Sequence, residues 1–214
     1  MSKPGKFITF EGGEGVGKST NIQWCAEWLM AQGVEVLVTR EPGGTPIAEL
    51  IRNKLLKAHH AEPMMPMTEL LLMFAARAQH LQAVIEPALQ NGIWVLCDRF
   101  TDSTIAYQGF GRGLELETID TLKQLAQGNL EPDCTFLLDA PVSVGMSRAR
   151  GRSIETGEQT DRFETEALAF FERVRDGFHT LAATHSRFVI IDAEQPLERV
   201  QSELAVSLEV LRGA

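Results

Sequence analysis

The run Gly12-Gly13-Glu14-Gly15-Val16-Gly17-Lys18-Ser19-Thr20 brings together the residue types that hold a polyphosphate. It fits the pattern of a glycine, four residues, then Gly-Lys-Ser/Thr. Several backbone N–H groups must approach one anion together, and glycines remove the Cβ atoms that would stand in the way. A helix opening near Lys18 adds unpaired N–H groups and its positive end. The Lys18 ammonium reaches the outer phosphates, and the Ser19 hydroxyl is a ligand for Mg²⁺. We read the segment as an ATP or GTP site. The competing reading is a glycine-rich turn that only permits tight packing. Context argues against it: Phe7-Ile8-Thr9-Phe10 reads as a buried strand, and Ile22, Cys25, Ala26 and Leu29 then recur at helical spacing.

Other charged residues collect where strands end. A second strand, Val34 to Val38, runs into Thr39-Arg40-Glu41-Pro42-Gly43-Gly44-Thr45-Pro46, a turn-rich segment with two charges that a mere connection does not need. A strand over Ile93 to Cys97 ends in Asp98-Arg99-Phe100, and a fourth, Cys134 to Leu138, ends at Asp139. The spacing predicts helices over Ile47 to Leu56 (carrying Arg52), Thr68 to Leu89, Leu116 to Ala126, Glu166 to Thr184 and Leu197 to Leu211. It also predicts a helical turn or two over Thr101 to Tyr107, a loop over Gly109 to Gly113, a helix starting over Val142 to Ala149 and a surface loop from Gly151 to Asp161. Phe188 to Ile191 is the fifth strand. Strands of four to six apolar residues alternating with helices imply an α/β fold: a five-stranded parallel sheet covered on both faces, the three-layer P-loop NTPase arrangement. Such sheets bind ligands at the carboxyl ends of their strands, where Glu14, Glu41, Asp98, Arg99 and Asp139 all fall.

Composition sets outer bounds. At 214 residues and 44% hydrophobic content, one packed domain over 1–214 is the expectation. A formal charge of −9 argues against general nucleic-acid binding, which rests on clustered Lys and Arg. Cys25, Cys97 and Cys134 are an odd number, and we read them as reduced core residues, which suits the cytosol. The first strand begins within a few residues of the N-terminus, and no run approaches the ~20 apolar residues that span a bilayer, so no membrane segment is expected. His59 and His60 lack the Cys or carboxylate that would complete a ligand set and read as solvated loop. Met64, Met65, Met67 and Met73 read as core filling.

A phosphate loop alone does not choose among kinases, switch GTPases and motor ATPases. Asn53-Lys54-Leu55-Leu56 lacks the Asp of a guanine-reading box. The chain resembles bacterial thymidylate kinases over essentially its whole length. The resemblance is carried by Phe7-Ile8-Thr9-Phe10-Glu11-Gly12, Arg40-Glu41-Pro42-Gly43-Gly44-Thr45, Phe74-Ala75-Ala76-Arg77, Asp98-Arg99-Phe100 through Ala106-Tyr107-Gln108-Gly109, and Asp161-Arg162-Phe163-Glu164. It implies transfer of the γ-phosphoryl of Mg·ATP to thymidine monophosphate by a homodimer.

The same resemblance assigns roles. Arg99, helped by Arg52, pairs with the acceptor's phosphate, a task suited to a guanidinium fork. Asp98 and Glu41 organise Mg²⁺ and its waters. Arg77 donates to a thymine carbonyl, and Thr104 and Gln108 contact the pyrimidine edge. Tyr107 packs beneath the sugar, or else is a core aromatic. Glu14 accepts from the sugar 3′-OH. The ring expected four residues before Arg77 is replaced by Met73, so either Met73 or its neighbour Phe74 lies against thymine. The phosphate loop holds no arginine, so transition-state charge must come from a lid over about 150–162, with Arg152 and Arg162 as catalytic groups and Arg148 against adenine; the alternative is a solvated basic loop balanced by Glu155 and Glu158. Two further readings stay open: a nucleotide kinase for another base, and a regulatory P-loop ATPase.

Overall fold

A computed structural model of the chain describes residues 5–58, 60–156 and 166–213, with side chains of the second run described as far as residue 151. Five strands, β1 (Phe7–Glu11), β2 (Val36–Arg40), β3 (Trp94–Asp98), β4 (Cys134–Asp139) and β5 (Phe188–Asp192), form one sheet in the order β2-β3-β1-β4-β5. Every neighbouring pair is parallel. β1, the central strand, is buried at all five positions; its polar members are paired, Thr9 Oγ1 with Thr135 Oγ1 at 2.8 Å and Glu11 with Ser103 and the Phe100 N–H.

Alternate side chains of β1 feed different layers. Ile8 and Phe10 join Phe136 and Leu138 under Ile22, Cys25 and Leu29 of α1 (Lys18–Ala31) and Val200, Leu204 and Leu208 of α9 (Leu197–Gly213). Phe7 faces the other way, packing with Val95, Leu81, Ile85 and an edge-on Phe100 ring 4.9 Å away. Beside it, Leu137 meets Phe170, Val174 and Phe178 of α8 (Leu168–Thr184). The result is the expected three layers. All three cysteines are buried and free.

Between β2 and β3 the chain forms α2 (Pro46–Leu50), α3 (Pro66–His80) and α4 (Glu86–Gln90); after β3 come α5 (Thr101–Thr104) and α6 (Leu116–Gln127); α7 (Val142–Thr156) follows β4. The start of α2 is written in Thr45-Pro46: the Thr45 hydroxyl accepts from the Ala48 N–H at 3.1 Å, and Pro46 occupies a position with no N–H to satisfy.

Several boundaries differ from the sequence reading for identifiable reasons. β2 begins at Val36 instead of Val34, because the Val34 N–H closes the last turn of α1 on the Leu29 carbonyl. It then runs on to Arg40, paired with Asp98. The expected helices over Ile47–Leu56 and Thr68–Leu89 each contain a wider π turn, Ile51–Leu56 and Leu81–Ile85. A third, Ile105–Gly111, replaces most of the expected loop over Gly109–Gly113. Helix α7 continues to Thr156, past the loop start expected at Gly151. Met65 and Met67 are exposed and Met64 and Met73 half-buried, so these methionines do not fill the core.

Candidate active site

The register of the sheet sets Phe10 beside Asp98 and Arg40 beside Asp98, so β1, β2 and β3 end at one edge. The phosphate loop crosses that edge into α1. Gly17 caps α1 at φ 88°, a left-handed conformation that glycine adopts without strain. At Gly15 a Cβ would lie 2.0 Å from the Gly145 carbonyl oxygen, so α7 can lie against the loop only because of such glycines.

A cleft of about 270 Å³ opens above this edge. It is lined by the phosphate-loop residues Glu14 to Thr20 and by Glu41, Arg52, Met73, Arg77, Asp98, Arg99, Thr104, Tyr107 and Gln108, which lie on separate segments of the sequence. The Lys18 ammonium donates to the carbonyls of Gly12 (3.2 Å) and Gly13 (2.7 Å). Burial, then the nearby Arg99, push its pKa down to about 8 against the pull of Glu14, Asp98 and Glu11.

Arg99 is the hub. Its Nη1 donates to the Gly12 carbonyl (2.9 Å) and Ser103 Oγ (3.1 Å), its Nη2 to Glu14 Oε1 (2.7 Å) and the Tyr107 hydroxyl (3.1 Å). Burial disfavours its charge, but Tyr107, Glu14, Asp98 and Glu11 outweigh burial and hold it protonated, above its ordinary value. Burial works against ionising Glu14 too, yet Arg99 and then Lys18 bring its carboxyl down to about 2. Arg99 is also the one non-glycine residue with positive φ among those described, at 67°. Its neighbours hold that geometry: the Arg99 N–H donates to the Phe10 carbonyl, and the next N–H, of Phe100, donates to Glu11 Oε1 at 2.8 Å.

The base-reading candidates form a second chain of bonds. Arg77 Nε donates to Glu41 Oε2 (2.7 Å) and Nη2 to Thr104 Oγ1 (2.9 Å). Its remaining Nη1 is buried with no hydrogen-bond partner among the described residues. The Arg77 guanidinium lies 4.8 Å from the Phe74 ring centre, and Phe74 itself packs with Leu70 and Ile119. Met73, not Phe74, lines the cleft. The Tyr107 ring packs edge-on to Phe170 and Phe178, as a core aromatic does, while its hydroxyl donates to Glu14 at 3.0 Å and the residue lines the cleft.

For a divalent cation the donors differ in readiness. Asp98 Oδ2 lies 3.5 Å from Ser19 Oγ, and Asp98 Oδ1 is buried with no hydrogen-bond partner among the described residues. Oxygen donors beside a phosphate cradle fit Mg²⁺. Glu41, the other expected carboxylate, has one oxygen taken by Arg77 and the other by His80 Nδ1 at 3.1 Å, so it orients Arg77. Arg52 donates to the Pro42 carbonyl at 2.7 Å. Arg148 is exposed, outside this cleft, with Nη1 on the Ala193 carbonyl at 2.8 Å. Arg162 lies outside the described residues, as does the side chain of Arg152.

The family model for thymidylate kinase matches residues 10–204. The chain belongs to the thymidylate kinase family. It is 56% identical to the thymidylate kinase of Chromohalobacter salexigens, over 96% of this chain and 95% of that one. It is 51% identical to that of Methylococcus capsulatus, covering 97% of each. The crystal structure of thymidylate kinase from Ehrlichia chaffeensis superposes with a TM-score of 0.75 at 37% identity, covering 96% of this chain and 99% of that one. The chain is therefore an enzyme, a nucleotide-binding kinase built on the P-loop fold.

Around this kinase's cleft the sequence reading passed over Glu11, Glu69, His80, Ser103 and Arg112. Three of them carried a signal. Glu69, Met73 and Arg77 are spaced by four on α3, with His80 three further, which is one helical face. A carboxylate and an imidazole on the same face as Arg77 mark a polar wall. Glu11 was legible as an acid closing an otherwise apolar strand. Ser103 and Arg112 had no comparable mark.

Proposed function

We propose that this kinase transfers the γ-phosphoryl group of ATP to thymidine monophosphate, giving thymidine diphosphate for DNA synthesis. The observation that carries the reading is the sharing of one cleft by the phosphate loop and by the cations and hydrogen-bonding groups suited to a second nucleotide. The family membership supports the same acceptor.

Both cations at the centre are already held by groups they can exchange. Lys18 trades the carbonyls of its own loop for the outer phosphates of ATP. Arg99 trades Glu14 for the acceptor's phosphate, and Glu14 is thereby free to accept from the sugar 3′-OH. An acceptor phosphate oxygen then forms a bond to the γ-phosphorus while the bond to the β–γ bridging oxygen breaks, leaving ADP. Because phosphoryl transfer is mainly positioning and charge neutralisation, aligning the two phosphates between Lys18 and Arg99 is most of the work. Ser19 and Asp98 would hold Mg²⁺, which supplies positive charge at the β- and γ-phosphates. Glu41 serves by fixing Arg77. We assign Arg152 and Arg162 to the lid's share of the transition-state charge and Arg148 to adenine.

The homodimer belongs to the same reading. Ile47 and Leu50 on α2, Met67 and Leu71 on α3 and Leu125 on α6 are exposed apolar side chains on neighbouring helices. Such a patch is the natural place for a second copy. Among the described residues no helix is long and apolar enough to cross a membrane, and we place the reaction in the cytoplasm.

The test is a coupled assay of ADP release with ATP and a panel of nucleoside monophosphates. Thymidine monophosphate should be the preferred acceptor. Preference for uridine or cytidine monophosphate would overturn the reading, and ATP turnover indifferent to any monophosphate would point to a regulatory ATPase instead.

A further inference from the structure

Glu69 lies on α3 one turn before Met73 and two turns before Arg77, and is 1% exposed. One of its oxygens, Oε1, accepts from Gln108 Nε2 at 2.8 Å and from Arg112 Nε at 3.3 Å; the other accepts from Arg112 Nη2 at 3.3 Å. Arg112 is itself anchored, donating to Glu166 at 2.5 Å with its guanidinium 4.8 Å from the Phe170 ring centre. Glu69 is thus held as a buried carboxylate that only accepts.

That fixes an otherwise ambiguous group. A glutamine amide has a donor end and an acceptor end of nearly equal size, and its environment decides which way it faces. Here the amino end must face Glu69. The Gln108 carbonyl, which has no hydrogen-bond partner among the described residues, is left for the cleft that Gln108 lines. On the same wall, Arg77 offers the unpartnered donor Nη1, linked through Thr104, one turn before Gln108. The wall therefore holds a donor and an acceptor that the described residues leave unmatched. That pair matches an imide edge, a ring carbonyl next to a ring N–H, as in thymine and uracil. It opposes the amino group and bare ring nitrogen of cytosine.

We propose that Glu69, which touches neither substrate, is the positioning residue that sets the kinase's discrimination between imide and aminopyrimidine bases by locking the Gln108 amide with its carbonyl toward the base. The inference rests on the thymidylate reading above and deepens it. Replacing Glu69 with Gln supplies an amide that can donate to Gln108 as readily as accept from it. The Gln108 amide can then turn its amino end to the cleft, where it donates to cytosine's ring nitrogen and leaves thymine's ring N–H without an acceptor.

The experiment measures kcat/KM for thymidine and deoxycytidine monophosphates with ATP in the wild type, Glu69→Gln, Gln108→Leu and the double variant. Either single change should lower the thymidine-to-deoxycytidine ratio by about 10- to 100-fold, the cost of one unmatched buried hydrogen-bonding group. The double variant should fall no further, and KM for ATP should not move. A folded Glu69→Gln that keeps the wild-type ratio, or a double variant that loses the product of the two single effects, overturns the proposal. Should Glu69→Gln not fold, Gln108→Leu decides, and an unchanged ratio there overturns it equally. A wild-type enzyme with no preference for thymidine monophosphate would overturn the functional reading and this proposal with it, whereas a preference that survives Glu69→Gln overturns this proposal alone.

Discussion

Arg99 and Glu14 face each other across the junction of the two substrate regions, Nη2 to Oε1 at 2.7 Å, one from the end of β3 and the other from the phosphate loop. The pair holds a guanidinium ready for an anion without leaving it uncompensated inside a protein. A single guanidinium nitrogen cannot do this alone: the four bonds of Arg99 use both terminal nitrogens, each pointing a different way.

Arg99→Lys should therefore cost more than a conservative change suggests. A lysine ammonium keeps the charge but cannot bridge Gly12, Ser103, Glu14 and Tyr107 from one rigid plane. We expect kcat/KM for thymidine monophosphate to fall by about 10²- to 10³-fold, near the lower range for arginines that act on a transferring phosphoryl group. Steady-state kinetics with each substrate varied in turn will show whether the loss lies with the acceptor, as expected, or with ATP.

The lid arginines carry a separate prediction. Arg152→Ala and Arg162→Ala should each lower turnover by about 10³-fold at saturating substrates, because their charge is called on as the phosphoryl group moves. Without acceptor, the enzyme should show weak ATPase activity, since water enters an open site. Normal turnover by both single variants at saturation would remove the lid from the chemistry.

Glu11 makes a pH prediction. Burial, then Asp102, raise its carboxyl to about 8, against the opposing pull of Ser103, Arg99 and the Phe100 N–H. A carboxyl whose folded pKa exceeds its unfolded value of 4.5 contributes stability that is whole below 4.5 and is lost as pH rises toward 8. Glu11→Gln has no proton to lose. Urea unfolding between pH 5 and pH 8 should show the variant gaining on the wild type as pH rises, by at most ~1.4 kcal/mol per pH unit. A stability difference that does not change with pH over this range would mean that Glu11 is ionised throughout.

Asp102 and Arg187 make a stability prediction. Asp102 is buried, and its carboxylate accepts two bonds from the Arg187 guanidinium, at 2.7 and 2.8 Å. Removing Asp102 leaves the half-buried Arg187 with only Thr135 and a longer contact to Glu131 at 3.7 Å, so Asp102→Ala should cost about 1–3 kcal/mol. Neither residue lines the cleft. Chemical denaturation should therefore reveal the loss, while kcat of the folded fraction stays close to wild type.

How much of this was legible beforehand depended on the range of the signal. The phosphate loop, the strand–helix alternation and the charges at strand ends are local patterns, each readable within about ten residues, and they suffice for a parallel sheet with its chemistry on one edge. The wider turns at Ile51–Leu56 and Ile105–Gly111 were not legible, because an extra residue in a turn hardly alters the recurrence of apolar positions. Yet these turns set the cleft-facing positions of Arg52, Tyr107 and Gln108.

The amino-acid sequence by itself determined a glycine-rich loop of phosphate-binding type at Gly12–Thr20 and charges such as Asp98 and Arg99 at strand ends, because backbone conformation and hydrophobic period are set by neighbouring residues. Arg77, Thr104 and Gln108 joined them only through the resemblance to thymidylate kinases. Only the tertiary structure decided that Met73 and not Phe74 reaches the cleft, that Glu41 serves Arg77, and that Glu69 orients Gln108. Those outcomes turn on which hydrogen-bonding group meets which across 36 and 39 residues of chain. Such pairings follow from how α3 and the turns after β3 pack together, and no short-range pattern records that packing.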